Sequence, residues 1–275
     1  MPYRNERTEN PCRANARSRP QTIALIWLCV FGLGVAGPVR ADDTAAQAST
    51  LHIEYDALLK KYVRELRLDY AGWVANDKDA GALEQYVLAL TELDPASWSP
   101  DEQLSYWLNL YNAATLRLVL DNYPMDSIKD LGGFMKKSPW NRKLVTVAGR
   151  DLTLNEIEND IIRPEFQDPR IHFALNCAAI GCPPLNAGAF FAGTLSEQLD
   201  TACRRALNLD PWVRVEESRV YVTKIFKWYG DDFTQDGGSI LEFISRYRDT
   251  PIAGHPDIKI LDYDWSLNDA PRAEQ

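Results

Sequence analysis

Apolar residues recur at helical spacing in two stretches near the start of the chain. Over 55–66 and again over 83–90, large apolar side chains fall three or four residues apart, and the residues between them are mostly polar. This is the period of one helix face, so the pattern predicts two amphipathic helices. Residues 42–50 carry no large apolar side chain, and we expect them to be a loose start to the fold.

Helix-start signals follow at four places, each a Ser or Thr with Glu three residues later. The pairs are Ser99 with Glu102, Thr153 with Glu156, Thr194 with Glu197, and Ser239 with Glu242. In such a pair the hydroxyl accepts from one backbone N–H of the first turn and the carboxylate accepts from another. The four helices are expected to end, in the same order, near Asn122, before Pro164, at Leu207 and at Tyr247.

Strand-like runs lie between these helices. They cover 144–147, 171–176, 213–215 with 220–222, and 258–261, and the middle pair suits a hairpin. Strands and helices intermix without regular alternation, which predicts an α+β fold, mostly helical, with a small sheet. We expect one domain over 95–268 with its core at about 95–208, an N-terminal helical arm over 42–94 and a tail over 269–275.

The first 41 residues have the features of an export signal. Five arginines precede a 15-residue apolar run from Thr22 to Ala36, which is shorter than a bilayer-spanning helix. Small residues at positions 39 and 41 suit signal peptidase, so we predict cleavage after Ala41. The mature protein would then be periplasmic or secreted, with no transmembrane span. The alternative is an uncleaved anchor.

Charge limits the classes of partner. The chain has 30 basic and 39 acidic residues, a net charge of −9. Residues 1–41 hold six Arg and two Glu, so cleavage would leave 234 residues with 24 basic and 37 acidic ones, a net charge of −13. Such a charge argues against nucleic acid as a partner and leaves a small molecule or a peptide. His52, His172 and His255 form no ligand pattern, so no metal or other cofactor is expected.

The segment 170–185 holds the residues with the most chemistry. Cys177 stands where the predicted strand 171–176 ends and a turn rich in Gly and Pro begins, a common place for a nucleophile. Backbone N–H groups of such a turn could stabilise an oxyanion. A continuous strand would point His172 and Cys177 to opposite faces, which would prevent direct contact between them.

The cysteines have other interpretations as well. Cys177 and Cys182 could form a disulfide across the turn, or Cys177 could be a small, inert core residue. Cys203 falls in the apolar stripe of its predicted helix, which indicates core packing.

Three polar residues are further candidates for the site. Asn109 and Asn112 lie three apart on a helix that is apolar most of the way round, so both are expected to be buried with hydrogen-bond partners. They could clamp neighbouring loops or bind a substrate. Glu158 is a candidate base or orienting residue, whereas Glu156 is expected to be only the capping acid of its helix.

Several segments together resemble one family, the domain of unknown function 547. The resembling segments are WLNLYNAATL at 107–116, LTLNEIENDIIRPEF at 152–166, DPRIHFALNCAAIGCPPL at 168–185, KIFKWYGDDF at 224–233 and YDWSLN at 263–268. The resemblance spans about 95–268 and implies a family of exported and cellular proteins without an agreed activity. It also implies that a histidine is common where this chain has Asn159. If that histidine were the base for Cys177, this protein would lack it.

Two functional hypotheses follow. The first is an exported cysteine-dependent hydrolase or acyl transferase with Cys177 as nucleophile and His172 as base. In it, Asn109, Asn112 or Glu158 would orient the reacting groups, and His255, a loop residue, is a weaker candidate base. The second is a non-catalytic binding or scaffold module of the cell envelope, with a Cys177–Cys182 disulfide.

The export signal makes a direct prediction. The mature protein should begin at Asp42, because the peptidase recognises the small residues before it. N-terminal sequencing of the exported protein measures this. Intact residues 22–36 in a membrane fraction would instead indicate the uncleaved anchor.

Overall fold

A computed structural model describes residues 41–133 and 137–271, and it confirms a mostly helical α+β fold. The predicted export signal spans residues 1–41, and all of it except Ala41 lies outside the described residues. The helices are α1 (Ala41–Tyr62), α2 (Tyr70–Val74), α3 (Asp77–Thr91), α4 (Pro100–Leu120), α5 (Leu154–Glu156), α6 (Arg163–Phe166), α7 (Leu195–Leu207), α8 (Ile225–Trp228), α9 (Gly230–Thr234) and α10 (Ile240–Tyr247). Within the described ranges no helix is long and apolar enough to cross a bilayer.

Helix α4 is the centre of the larger hydrophobic core. It begins at the predicted capping box, in which Ser99 N donates to Glu102 Oε2 at 2.9 Å. Its side chains are buried from Leu104 to Leu120 with one exception, Arg117, which is only partly buried. Apolar residues of α1 and α3 pack in the same core, so the N-terminal arm covers one side of α4.

The expected loose start over 42–50 is wrong, because this segment is the first part of α1. Ala45 and Ala48 are buried, and Trp98 Nε1 donates to Thr44 Oγ1 at 2.8 Å. Small alanines pack closely against a neighbouring surface without the large apolar side chains on which the sequence pattern depends. The helix therefore extends further towards the N-terminus than the hydrophobic period indicated.

Three small sheets accompany the helices in the described parts of the chain. The strands are β1 (Val63–Arg64), β2 (Arg67–Leu68), β3 (Lys143–Val147), β4 (Arg150–Thr153), β5 (Val213–Val215), β6 (Arg219–Val222) and β7 (Asp257–Ile260). β1 pairs with β2 and β3 with β4, both antiparallel. β5 and β6 form the predicted hairpin, with Val213 opposite Val222, and β7 lies parallel to β6.

The helix predicted to end before Pro164 continues past it. Its capping box at Thr153 is present, but after α5 the chain forms a π-helix over Ile157–Ile162 and then α6. Pro164 lacks an N–H and stands where the hydrogen-bond pattern changes from the π-helix to α6, so it does not end the helix. The helix predicted after Thr194 is confirmed as α7, although the Thr194 side chain makes no cap bond.

A second, smaller core adjoins the first. It is built by apolar residues of α7, α8, α9, α10 and the sheet of β5 and β6. Phe173 belongs to this second core, whereas Ala174 and Leu175, the next residues along the chain, belong to the larger one. The segment that leads to Cys177 therefore crosses from one core to the other.

Asn109 and Asn112 are both buried and hydrogen-bonded, as predicted. Asn109 Nδ2 donates to Phe190 O at 2.8 Å, and its Oδ1 accepts from Phe190 N at 2.9 Å. Asn112 Nδ2 donates to Ala174 O and its Oδ1 accepts from Asn176 N, each at 2.9 Å. Each asparagine thus fastens a loop backbone to α4 by a pair of bonds.

The Asn112 clamp predicts a measurable loss of stability. Asn112→Leu should lower the free energy of unfolding by about 3 kcal/mol, because a buried carbonyl and a buried N–H are left unpaired. Urea unfolding followed by circular dichroism measures this. Asn122→Leu is the control: Asn122 is exposed and bonds only to the nearby Leu118 O, so its loss should stay within about 0.5 kcal/mol. Equal effects of the two substitutions would contradict the clamp.

Candidate functional site

The segment before Cys177 is a 3-10 helix over Pro169–Phe173, not the predicted strand. The Asp168 side chain accepts from Arg170 N at 2.9 Å, and Pro169 supplies the first helical residue. These local capping interactions determine the conformation of an apolar run that would also suit a strand. The prediction that His172 and Cys177 point to opposite faces therefore no longer applies.

Asn176 holds the loop that follows. Its Nδ2 donates to Pro183 O at 3.0 Å, and its Oδ1 accepts from Ala178 N at 2.9 Å. Ala178 has a φ of 61°, a left-handed conformation that non-glycine residues rarely adopt. The asparagine stabilises this turn just after Cys177 and ties its two ends together.

Gly181 allows the C-terminal segment to approach the loop. Gly181 N donates to Asp264 O at 2.8 Å, and a Cβ at this position would lie only 2.9 Å from Asp264 N. Ile180 N donates to Ser266 O at 2.8 Å in the same way. This close backbone approach brings Tyr263 next to Cys177.

A small cavity of about 50 Å³ lies beside Cys177. The three residues predicted as catalytic, Cys177, His172 and Glu158, all line it. The other lining residues come from five parts of the chain, and they are Tyr111, Trp140, Leu175, Cys182, Pro183, Ile225, Trp228, Tyr229, Tyr263 and Trp265. Most of the lining is aromatic or aliphatic, with few polar groups, which is typical of small-molecule sites.

Cys177 is half-buried, and its environment favours the thiolate. Its pKa is lowered by hydrogen bonds from the Cys182 thiol, the Tyr263 hydroxyl and Ala179 N–H, against the opposing effects of burial and of the Glu158 charge. Tyr263 Oη lies 3.1 Å from Cys177 Sγ. Burial raises the pKa of Tyr263 and of Cys182 well above their ordinary values, so both remain protonated donors.

All three described cysteines are free thiols in the structure. Cys182 Sγ accepts a hydrogen bond from Cys177 N at 3.0 Å, so the two cysteines are in contact without the Cys177–Cys182 disulfide given as an alternative. Cys203 is fully buried within α7, and burial raises its pKa well above the ordinary value. It has the core position that the sequence predicted, and it does not line the cavity.

His172 belongs to a charged cluster at one side of the cavity. Its Nε2 lies 2.7 Å from Asp232 Oδ2, and Arg163 binds the same carboxylate through Nε and Nη2, each at 2.7 Å. Burial opposes the charge of Asp232, but the bonds from His172 and Arg163 hold the pKa of this carboxyl well below its usual range. Asp232 is therefore an acceptor, which places a proton on His172 Nε2 and leaves Nδ1 as the basic atom of the neutral ring.

Glu158 is buried in the π-helix, and its carboxylate accepts hydrogen bonds from two tyrosine hydroxyls. Tyr229 Oη donates to Oε1 at 2.6 Å and Tyr111 Oη to Oε2 at 3.3 Å. The Tyr229 ring in turn stacks on His172, with 4.0 Å between the ring centroids. These contacts suit Glu158 as a residue that orients His172 through Tyr229, rather than as a base. π-Helices such as the one that carries Glu158 are frequent at functional sites.

The backbone N–H groups around Cys177 are all used within the fold, contrary to the predicted oxyanion site. Those of Cys177 and Ala179 donate to cysteine sulfur atoms, and that of Ala178 donates to Asn176. Those of residues 180–182 donate to backbone carbonyls. An oxyanion donor would have to come from a side chain.

Other predicted residues lie outside the cavity. Asn109 and Asn112 use their amide groups in loop clamps and do not line this cavity. His255 is exposed in the loop before β7. His52 bonds to Tyr86 Oη at 2.8 Å, and burial lowers its pKa to about 4. Over 41–133 and 137–271, no three His, Cys, Asp or Glu side chains form a metal-binding group.

Asn159 also lies apart from the cavity lining. Its Oδ1 accepts from Arg163 Nη1 at 2.7 Å, and its Nδ2 donates to Asn155 Oδ1 at 3.0 Å. Through Arg163 it supports Asp232 and hence His172. The histidine that the resemblance implies at this position is replaced here by a residue that supports the charged cluster.

Residues 95–206 match the family model described as "Protein of unknown function, DUF547". This part of the chain is a DUF547 domain. No curated protein and no solved structure is significantly similar to the chain. Cys177, His172 and Glu158 lie within the DUF547 segment, whereas Asp232 and Tyr263 lie beyond it.

Several residues of the site were not predicted from the sequence. They are Tyr111, Trp140, Tyr229, Asp232 and Tyr263. One signal could have found most of them: each of the five segments that resemble the DUF547 family contributes a residue to the cavity or to the charged cluster. Trp140 lies outside those segments, and no pattern pointed to it.

The hydrogen bond from Tyr263 predicts the pH dependence of Cys177 alkylation. Because the native pKa of Cys177 is lowered, its thiolate should react with iodoacetamide at a pH below the range of an ordinary thiol. In Tyr263→Phe one stabilising donor is lost, the pKa rises, and the midpoint of the rate profile should move to higher pH. Mass spectrometry of alkylated peptides against pH measures both midpoints.

Tyr221→Phe is the control, since Tyr221 lies on β6 and does not line the cavity. Cys203 should remain unlabelled in the native protein because it is fully buried. An unchanged midpoint in Tyr263→Phe would show that this hydroxyl does not stabilise the thiolate. Labelling of Cys177 and Cys182 only after reduction would favour the disulfide.

Proposed function

We propose that this DUF547 protein is a cysteine-dependent hydrolase or acyl transferase with Cys177 as nucleophile. The observation that carries the proposal is that Cys177, whose hydrogen bonds lower its pKa, and His172, which is paired with Asp232, line one small cavity. A thiolate, a basic imidazole and a carboxylate that orients it are the groups that thiol acyl transfer needs.

In the first step the Cys177 sulfur bonds to the carbonyl carbon of an acyl donor, and the carbonyl π pair moves onto oxygen. When that pair returns, the bond to the leaving group breaks. The leaving atom takes the proton that Cys177 gave up, which His172 Nδ1 holds in the meantime. The products are a thioester on Cys177 and a free alcohol, thiol or amine.

In the second step water, or another nucleophile, attacks the thioester. His172 removes the proton of the attacking water, and the carbon–sulfur bond breaks with its electron pair on sulfur. The acyl group leaves as a carboxylic acid, and the Cys177 thiolate is restored. Asp232 stabilises the imidazolium in both steps, and Arg163 keeps that carboxylate charged and in place.

The size and lining of the cavity favour a small acyl group. A volume of about 50 Å³ holds a group of a few heavy atoms, whereas a bulky acyl chain would need the aromatic side chains to move. Trp228, Tyr263 and Trp265 are only partly buried, and their rings are in mutual contact at 4.6–5.9 Å. They form an apolar surface against which the rest of a small molecule or a peptide could pack.

Export is part of the proposal. The arginine-rich leader, the short apolar run and the small residues before Asp42 support cleavage and a periplasmic or secreted location. In such a compartment a working Cys177 must be kept as a thiol. The acidic charge of the chain supports a small molecule or peptide rather than nucleic acid as the substrate.

Acylation by p-nitrophenyl acetate tests the proposed reaction. The native protein should release a burst of p-nitrophenol and gain one acetyl group, located on Cys177 by peptide mass spectrometry. Cys177→Ser should lose the burst, whereas Cys203→Ser should keep it, because Cys203 lies away from the cavity.

His172→Gln tests the second step, because p-nitrophenolate leaves without taking up a proton and the first step with this ester does not need His172 as an acid. It should slow hydrolysis of the acyl-enzyme by a factor of roughly 10²–10⁴, the usual contribution of a general base. A native protein that alkylates at Cys177 but gains no acetyl group would contradict the proposal. A protein whose Cys177 is inert until reduction would favour the non-catalytic module.

A further inference from the structure

One buried hydrogen-bond donor at the cavity has no acceptor. Trp140 is 2% exposed and lines the cavity, and its Nε1–H has no partner among the residues that the structure describes. Leaving a buried donor unpaired is unfavourable, and such groups are rare unless a ligand or water completes them. Among the described residues, three other buried side-chain atoms lack a hydrogen-bond partner. They belong to Tyr55, Ser138 and Asp269, which do not line this cavity.

The other polar groups of the cavity have partners within the fold. Tyr111 and Tyr229 donate to Glu158, Tyr263 bonds to Cys177, and His172 Nε2 bonds to Asp232. The N–H groups from Cys177 to Cys182 are used as well. The indoles of Trp228 and Trp265 are partly exposed, so water can serve them. Among the residues that line this cavity, Trp140 is thus the one with a buried side-chain N–H that has no partner in the described part of the chain.

The position of Trp140 is fixed by its neighbours. It lies in a 3-10 helix over Pro139–Asn141, and its ring packs edge-on against Trp265 with 5.6 Å between the centroids. A donor held in this way by packing needs little reorganisation when charge develops on a bound acceptor, which is the condition for oxyanion stabilisation.

We propose that Trp140 Nε1–H donates to the acyl oxygen of the substrate and stabilises the oxyanion that forms when Cys177 attacks. This inference rests on the proposed function and adds to it the oxyanion donor: the carbonyl oxygen of the acyl donor reaches the indole while its carbon meets the sulfur. In the tetrahedral intermediate the carbon–sulfur bond is formed and the carbonyl π pair is on the oxygen that Trp140 contacts. When that pair returns, the bond to the leaving group breaks.

Two reactions of the same cysteine separate this role from packing. Acylation by p-nitrophenyl acetate passes through an oxyanion, whereas alkylation by iodoacetamide is a displacement at a methylene carbon that forms none. Trp140→Phe should therefore slow single-turnover acylation of Cys177 by about a hundredfold, the effect of removing one oxyanion donor. It should leave the alkylation rate within about twofold of the wild type.

Two further variants test whether the loss of acylation is specific to the N–H of Trp140. Trp98→Phe removes an indole N–H that donates to Thr44 Oγ1 and does not line the cavity, so it should keep acylation near the wild-type rate. If Trp140→Phe fails to fold, replacement of Trp140 by benzothienylalanine keeps both fused rings and puts sulfur in place of N–H. It should show the same selective loss of acylation.

Each outcome decides the inference. Selective loss of acylation in the Trp140 variants supports it. Unchanged acylation, or equal losses of acylation and alkylation, would overturn the role of Trp140 while leaving Cys177 as the nucleophile. If the wild type alkylates at Cys177 but cannot be acylated, the proposed function itself fails, and the oxyanion role fails with it.

Discussion

The site depends on the hydrogen bonds with which two buried asparagines hold the loop of Cys177. Asn112 binds the backbone of residues 174 and 176 to α4, and Asn176 closes the turn from 178 to 183. The backbone N–H of Asn268, in the C-terminal segment, donates to the carbonyl oxygen of Ala178 at 3.1 Å. Because these groups are buried, each bond is costly to lose, and the loop has one well-defined position between the two cores.

This position determines the chemistry of the sulfur. The loop places Cys177 against Tyr263 and Cys182, whose hydrogen bonds favour the thiolate, and near Glu158, whose charge opposes it. The effect of the Glu158 charge on the pKa of Cys177 is weakened because two tyrosine hydroxyls donate hydrogen bonds to the Glu158 carboxylate. Asp232 is neutralised by Arg163 in a bidentate pair. The carboxylates of Glu158 and Asp232 are therefore both matched by donors, which limits their repulsion of a thiolate at Cys177.

Local interactions could be predicted from the sequence, and long-range ones could not. The capping boxes at Ser99 and Ser239 and the hairpin of β5 and β6 depend on residues close in the chain, and all three are confirmed. The strand over 171–176 was wrong because the cap at Asp168 outweighs an ambiguous apolar run. Tyr263 meets Cys177 across 86 residues, a contact that neither periodicity nor spacing encodes. The reactive residues could be predicted from the sequence, but the side chains that contact them could be identified only from the structure.

The redox state of Cys177 in the protein taken from its native cell decides whether this residue can act as a nucleophile. Cells would be quenched in acid so that thiols cannot exchange, free thiols alkylated, and peptides mapped by mass spectrometry without reduction. If Cys177 is a nucleophile, Cys177 and Cys182 should be recovered as separately alkylated peptides or as one peptide bearing two labels. Recovery of the pair as an unlabelled, internally linked peptide would contradict a thiolate nucleophile. It would support the non-catalytic module with a Cys177–Cys182 disulfide.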